Sequence, residues 1–111
     1  MEARATAKYI RGSPQKIRLV VDLIRGKNCS EALTILRFTK KRASKDVEKV
    51  LKSAIANAEQ KEQGSEVDSL FVSQAYVNEG PRMKRVRPAP MGRAYSIQRR
   101  MSHISIHVSD K

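Results

Sequence analysis

Seven cations lie between Arg82 and Arg100, in the run GPRMKRVRPAPMGRAYSIQRR, with no carboxylate among them. They are Arg82, Lys84, Arg85, Arg87, Arg93, Arg99 and Arg100. Six of the seven are arginines, whose planar guanidinium fork pairs with phosphate oxygens and stacks on bases. The chemistry on offer is recognition of a polyanion. Bond-making chemistry finds less support. His103 and His107 are four positions apart in a strand-like run, about 13 Å along it, too far to share a metal ion. Cys29 is the sole cysteine and has no second ligand at zinc-like spacing. No Ser-His-Asp order, phosphate-binding glycine loop or pair of acids in a cleft stands out. The residues predict no enzyme, no cofactor and no metal.

Bulk charge points the same way. The 111 residues carry a formal net charge of +12, and self-repulsion at that charge opposes compaction unless a polyanion offsets it. Residues 1–79 hold 15 basic and 10 acidic side chains, whereas residues 80–109 hold seven basic and none acidic. Nucleic acid is therefore the first candidate partner. An anionic membrane ranks below it, because Trp is absent and no basic helix with an aromatic face appears. No apolar run approaches the roughly 20 residues of a membrane span, and MEARATAKYI has no apolar signal core. One cysteine cannot close an internal disulfide, so a reducing, cytoplasmic setting is expected.

The length suits one domain, with a body at about 1–79 and 101–111 and a basic hairpin at about 80–100. Ala3–Ile10 reads as a weakly alternating first strand. Ser13 as N-cap and Pro14 at the first turn open a helix over about 14–25. Ile17, Val20, Val21 and Ile24 form its apolar face, and Gly26 ends it. Ser30 reads as the next N-cap, with Glu31 in the first turn and Ala32, Leu33, Ile35 and Leu36 facing inward. The run KKR at 40–42 leads into the longest helical pattern, striped by Ala43, Val47, Val50, Leu51, Ala54, Ile55 and Ala58 and stopped at Gly64. Ala54, Ala56 and Ala58 predict close packing on a sheet. Lys45, Lys49 and Lys52 share one face. The first two are an i,i+4 like-charge pair that repels unless an anion intervenes, and Asp46 and Glu48 favour a simply solvated face. Tyr9, Phe38, Phe71 and Tyr76 are expected in or near the core.

Val67–Asn78 and Tyr95–Val108 read as strands. In the second, Tyr95, Ile97 and Met101 are odd and Ile104, Ile106 and Val108 even, so a bulge or change of environment is expected between Met101 and Ile104. The order is one strand, three helices and two long strands. It predicts an α+β fold, with a small antiparallel three-stranded sheet packed against three helices and one long protruding β-hairpin. With the turn centred near Pro90, Arg87 faces Arg93 and Arg85 faces Tyr95, and like charges so placed repel. Val77 to Ala89 spans about 40 Å when extended at ~3.3 Å per residue, against a domain radius of about 13 Å. The ribbon must protrude, and a two-stranded ribbon that repels itself needs a surrounding polyanion. Tyr95 is placed equally well stacking on a base or packing on the sheet.

Taken together, RGSPQKIRLVVDLIRGK at 11–27, EALTILRFTKKRA at 31–43, VLKSAIANAE at 50–59, AYVNEGPRMKRVRP at 75–88, GRAYSIQRR at 92–100 and SHISI at 102–106 resemble the bacterial form of the large-subunit ribosomal protein twenty-two family. The motifs run in the family's order over nearly the whole chain. The resemblance implies a globular part near the exit of the nascent-chain tunnel and a hairpin that threads the large-subunit rRNA. It also implies a tip in the tunnel wall, support of subunit assembly, and a link between the tip and macrolide antibiotics. Arg11, Ser13, Lys16, Arg18 and Arg25 resemble the family's RNA-facing N-terminal segment, with a solvated helix face as the alternative. Lys84, Arg85, Pro88, Gly92, Arg93 and Ala94 match the family's tip pattern. Ala89 replaces the usual tip arginine and Pro90 the alanine after it, so that arginine's role does not carry over.

The expectation is a structural protein of the large subunit that binds rRNA through phosphate and shape. Its hairpin cations would contact RNA, and Pro88, Ala89, Pro90, Met91 and Gly92 would shape the tip. Its partners would be large-subunit rRNA, neighbouring ribosomal proteins and, transiently at the tip, the nascent polypeptide, with one copy per ribosome and no membrane. A DNA-architectural protein with a basic β-ribbon arm is the rival.

Overall fold

The computed structural model describes residues 2–61, 70–80, 83–88, 94–99 and 101–110. In chain order the elements are β1 (Glu2–Arg11), α1 (Pro14–Ile24), α2 (Cys29–Phe38), α3 (Arg42–Lys61), β2 (Phe71–Glu79), β3 (Met83–Pro88), β4 (Ala94–Arg99) and β5 (Met101–Ser109). The expected stop at Gly64 and the strand start at Val67 lie outside the described residues.

Local chemistry accounts for the helices. Pro14 opens α1, and the Ser13 carbonyl accepts from the Lys16 and Ile17 amides, while the Ser13 side chain makes no capping bond. Ile17, Val20, Val21 and Ile24 are buried, each worth roughly 1.5–3 kcal/mol. Gly26 then takes φ +78°, a left-handed turn that costs glycine nothing. The residues after it pair with the start of β2: Gly26 donates to Val72, Val72 to Lys27, and Cys29 to Leu70. The cap of α2 is Asn28, whose Oδ1 accepts from the Ser30 amide at 2.9 Å. Ser30 is therefore inside the helix; the asparagine two residues earlier offers the same acceptor with a longer reach. In α3, Val47, Val50, Leu51, Ala54, Ile55 and Ala58 are buried as the stripe predicts, whereas Ala56 is exposed. At two residues from either neighbour, Ala56 falls on the opposite side of the helix.

β1, β5 and β2 form an antiparallel three-stranded sheet in that order. Ala3, Val72, Ala75, Val77, Ile104, Ile106 and Val108 join the buried helix faces in one core. The expected bulge between Met101 and Ile104 is absent: β5 pairs with β2 without interruption from Ser102 to His107. The irregularity at this level lies on the partner strand, between Ala7 and Ile10 of β1. A second shift, between Val72 and Gln74, lets Val72 and Ala75 both reach the core. The other expected cause, a change of environment, is what the structure holds: the phase change accompanies the passage from β4 to β5, which belong to different sheets.

The outer strands of the sheet are held by side chains from the helices. On the β2 edge, Arg18 donates to the Val77 carbonyl through Nε (3.2 Å) and Nη2 (2.8 Å). Arg25 does the same to Ala75 at 3.1 and 2.7 Å. On the β1 edge, Asn57 Nδ2 donates to the Arg4 carbonyl at 2.8 Å and Lys61 Nζ to that of Glu2 at 2.9 Å. Each pair of acceptors is two residues apart, the strand period that turns alternate carbonyls outward.

Candidate nucleic-acid interface

β3 and β4 form a two-stranded sheet of their own. Its register pairs Met83 with Arg99, Lys84 with Gln98, Arg85 with Ile97, Val86 with Ser96, Arg87 with Tyr95 and Pro88 with Ala94. The pairing is centred on Met91, one residue beyond Pro90. Arg87 therefore stands opposite Tyr95 and Arg85 opposite Ile97, in place of the expected Arg93 and Tyr95. The register sets Lys84, Arg85, Arg87 and Arg99 on the strands of this ribbon. Arg82, Arg93 and Arg100, and the tip residues Ala89, Pro90, Met91 and Gly92, lie outside the described residues.

At the root of the ribbon, the Gly80 amide donates to the Met101 carbonyl at 2.8 Å, and Arg11 is the β1 partner of Met101. Arg11 thus stands where the arm leaves the body. Ser13 and Lys16 follow it into the first turn of α1, and Arg11 and Lys16 are exposed. Arg18 and Arg25 have a different occupation. Each spends two N–H groups on a β2 carbonyl, and Arg25 also pairs with Asp22 at 2.5 Å. They remain exposed on one side, with donors left over for an anion.

A basic groove opens beside the root. Tyr9, Ile10 and Arg11 of β1 form one wall, and Arg42, Lys45, Asp46 and Lys49 of α3 the other. Among the described residues, none of its four cations pairs with a carboxylate. Lys52, expected on the same face, is paired with Glu48 at 3.3 Å. Tyr9 sits at φ +62°, a left-handed conformation that costs a side-chain-bearing residue roughly 1–2 kcal/mol. Its amide donates to His103 Nδ1 at 3.1 Å, and its ring meets the imidazole edge-on, 5.2 Å between centroids.

Tyr9 is 59% exposed, Phe38 77% and Tyr76 39%, so three of the four aromatics expected in the core lie on the surface; Phe71 is half-buried. Among the described residues the core closes on aliphatic side chains and Cys29, while the bulge displaces Tyr9 and Tyr76 falls on the outer face of β2. The groove is the feature that sequence reading misses. Its signal is the phase slip in β1, where Ala3, Ala5 and Ala7 are odd and Ile10 even.

The remaining reactive side chains are held within the body. His107 Nδ1 donates to the Glu2 carboxylate at 3.0 Å and its Nε2 lies 3.5 Å from the Tyr76 hydroxyl. Cys29 is buried, and that burial pushes its thiol up to about 11, leaving no thiolate to attack or ligate at neutral pH. Among the described residues, no three His, Cys, Asp or Glu side chains gather as metal ligands, and no helix is long and apolar enough to cross a membrane.

An α+β body bearing a separate cationic two-stranded arm defines a structural protein built to bind a polyanion. Comparison with known proteins narrows the class. The family model described as ribosomal protein L22p/L17e matches residues 5–109. The large ribosomal subunit protein uL22 of Solibacter usitatus (strain Ellin6076) is 65% identical over 111 residues, covering 100% of this chain and 98% of that protein. The uL22 proteins of Thermoanaerobacter sp. (strain X514) and Clostridium novyi (strain NT) are 61% and 53% identical, each covering 100% of this chain and 99% of the relative. The chain belongs to the ribosomal protein L22p/L17e family. That membership does not favour the DNA-architectural alternative.

Proposed function

We propose that this chain is a structural constituent of the large ribosomal subunit that binds its rRNA and lies against neighbouring ribosomal proteins, one copy per ribosome. The body and arm act as one folded unit. Arg82, Lys84, Arg85, Arg87, Arg93, Arg99 and Arg100 contact backbone phosphates along the arm. Arg11, Ser13 and Lys16 extend that contact onto the body at its root, and Arg18 and Arg25 add their spare donors. The tip, Pro88 to Gly92, helps line the nascent-peptide tunnel, where it touches the growing chain transiently.

One observation carries this reading: the strands β3 and β4, whose sequence holds the cations, pair only with each other among the described residues. A two-stranded ribbon is marginal in water by itself. RNA on both sides supplies the counter-charge and the stacking surfaces. A photo-reactive side chain replacing Met91, carried into assembled large subunits, tests the placement. Crosslinks to rRNA and to a stalled nascent chain are expected. Particles that incorporate the protein but yield neither crosslink would refute the tunnel position.

A further inference from the structure

We infer that the groove between the end of β1 and the first two turns of α3 is a second RNA site, one that seats a single unpaired base against Tyr9. This site rests on the rRNA-binding reading above and adds a place and a mode of contact to it.

Three independent features converge there. First, Arg42, Lys45 and Lys49 follow one another at helical spacing and, with Arg11, line the same groove. The helical cations span about 10 Å along the axis, long enough to serve more than one phosphate of a strand. Lys45 and Lys49 repel each other at i,i+4, and no carboxylate among the described residues pairs with either, so an anion between them is the natural relief. Second, Tyr9 is an aromatic residue held in a glycine-like conformation and 59% exposed. Burial does not explain the strain, because the ring is not buried. Strained, over-determined backbone of this kind gathers where a side chain must be aimed. His103 fixes the ring by its edge-on contact. Third, Asp46 also lines the groove, and a carboxylate can accept from a base amino group or a 2′-hydroxyl. A cationic track beside one aromatic platform is how single-stranded nucleic acid is held. The groove also adjoins Arg11 at the arm's root, so a strand leaving the arm meets it directly.

The test uses the full chain, a short single-stranded RNA of mixed sequence and a blunt RNA duplex of equal length. Tyr9→Leu should weaken single-strand binding by about fivefold to over a hundredfold, with the salt slope unchanged, while Tyr9→Phe binds as the parent does. Lys45→Gln with Lys49→Gln should make the single-strand slope shallower by about 1.4. Tyr9→Gly separates function from folding: relieving the positive φ should leave the chain at least as stable in thermal unfolding, yet it should bind as weakly as Tyr9→Leu. Parent-like single-strand binding by Tyr9→Gly, or an unaltered slope in the double lysine variant, overturns the site. An equal loss on the duplex overturns the unpaired-base mode. If Arg85→Gln with Arg87→Gln weakens binding while the groove variants do not, the groove is dismissed and the arm stands. If none of these variants weakens binding, the wider rRNA-binding reading goes as well.

Discussion

Arginine does two separate jobs in this chain. Arg18 lies within α1 and Arg25 just past its C-terminal end, and each clamps an outward carbonyl of β2. Arg11 and Lys16, at the N-terminal end of the same segment, are exposed and have no side-chain partner among the described residues. From residue type alone the two pairs look alike, because charge does not reveal whether a guanidinium reaches a backbone oxygen or water. The clamp predicts that Arg25→Ala lowers unfolding free energy in urea by about 1–3 kcal/mol, the range for a charged hydrogen bond removed from a buried or half-buried acceptor. Arg25→Lys should not restore it, since an ammonium lacks the two parallel donors. Lys16→Gln should leave stability within about 0.5 kcal/mol and instead make the salt slope of RNA binding shallower by about 0.7–0.9. Equal stability losses for Arg25→Ala and Lys16→Gln would remove the distinction between clamp and contact.

At the level of elements, each helix is announced by an apolar stripe at helical spacing, and α1 and α3 follow theirs closely. Strands are harder, since a one-residue insertion leaves only a change of parity in the sequence, and in β1 small alanines and a single isoleucine mark it faintly. Hence the slip in β1 places Tyr9 outside the core, and the ribbon register centres on Met91 where two prolines suggest Pro90. Asn28 caps α2 in place of Ser30 for a related reason: both residues supply an acceptor, and the bond that settles the choice is the Asn28 side chain reaching the Ser30 amide. The arm is legible as a charged ribbon because its composition, with seven cations and no acid, cannot face a core. What surrounds it is not written in its own residues. The two-stranded build predicts amide exchange that is fast in Met83–Arg87 and Ala94–Arg99 in the isolated protein and slow once large-subunit rRNA is bound. β5, central in its sheet, should be protected in both states. Slow exchange of the ribbon in the free protein would mean that it needs no RNA to hold its pairing.

For the molecule as a whole, shape and charge make the same point. The principal extents are 65 × 25 × 15 Å and the radius of gyration is 17.1 Å, against about 13 Å for a compact chain of this length. The excess charge sits mainly in the segment that departs from the body, where separation reduces repulsion within the core. Such a molecule folds its body on aliphatic packing and leaves the arm's electrostatics to its partner. The decisive measurement is the salt dependence of binding to large-subunit rRNA, compared between the full chain and a variant with the seven cations from Arg82 to Arg100 changed to glutamine. The expected result is a log–log slope steeper by about 5 to 6 in the parent than in the variant, from counterions released at the arm. Identical slopes would contradict phosphate contact by the arm and, with it, the role given to the protein here.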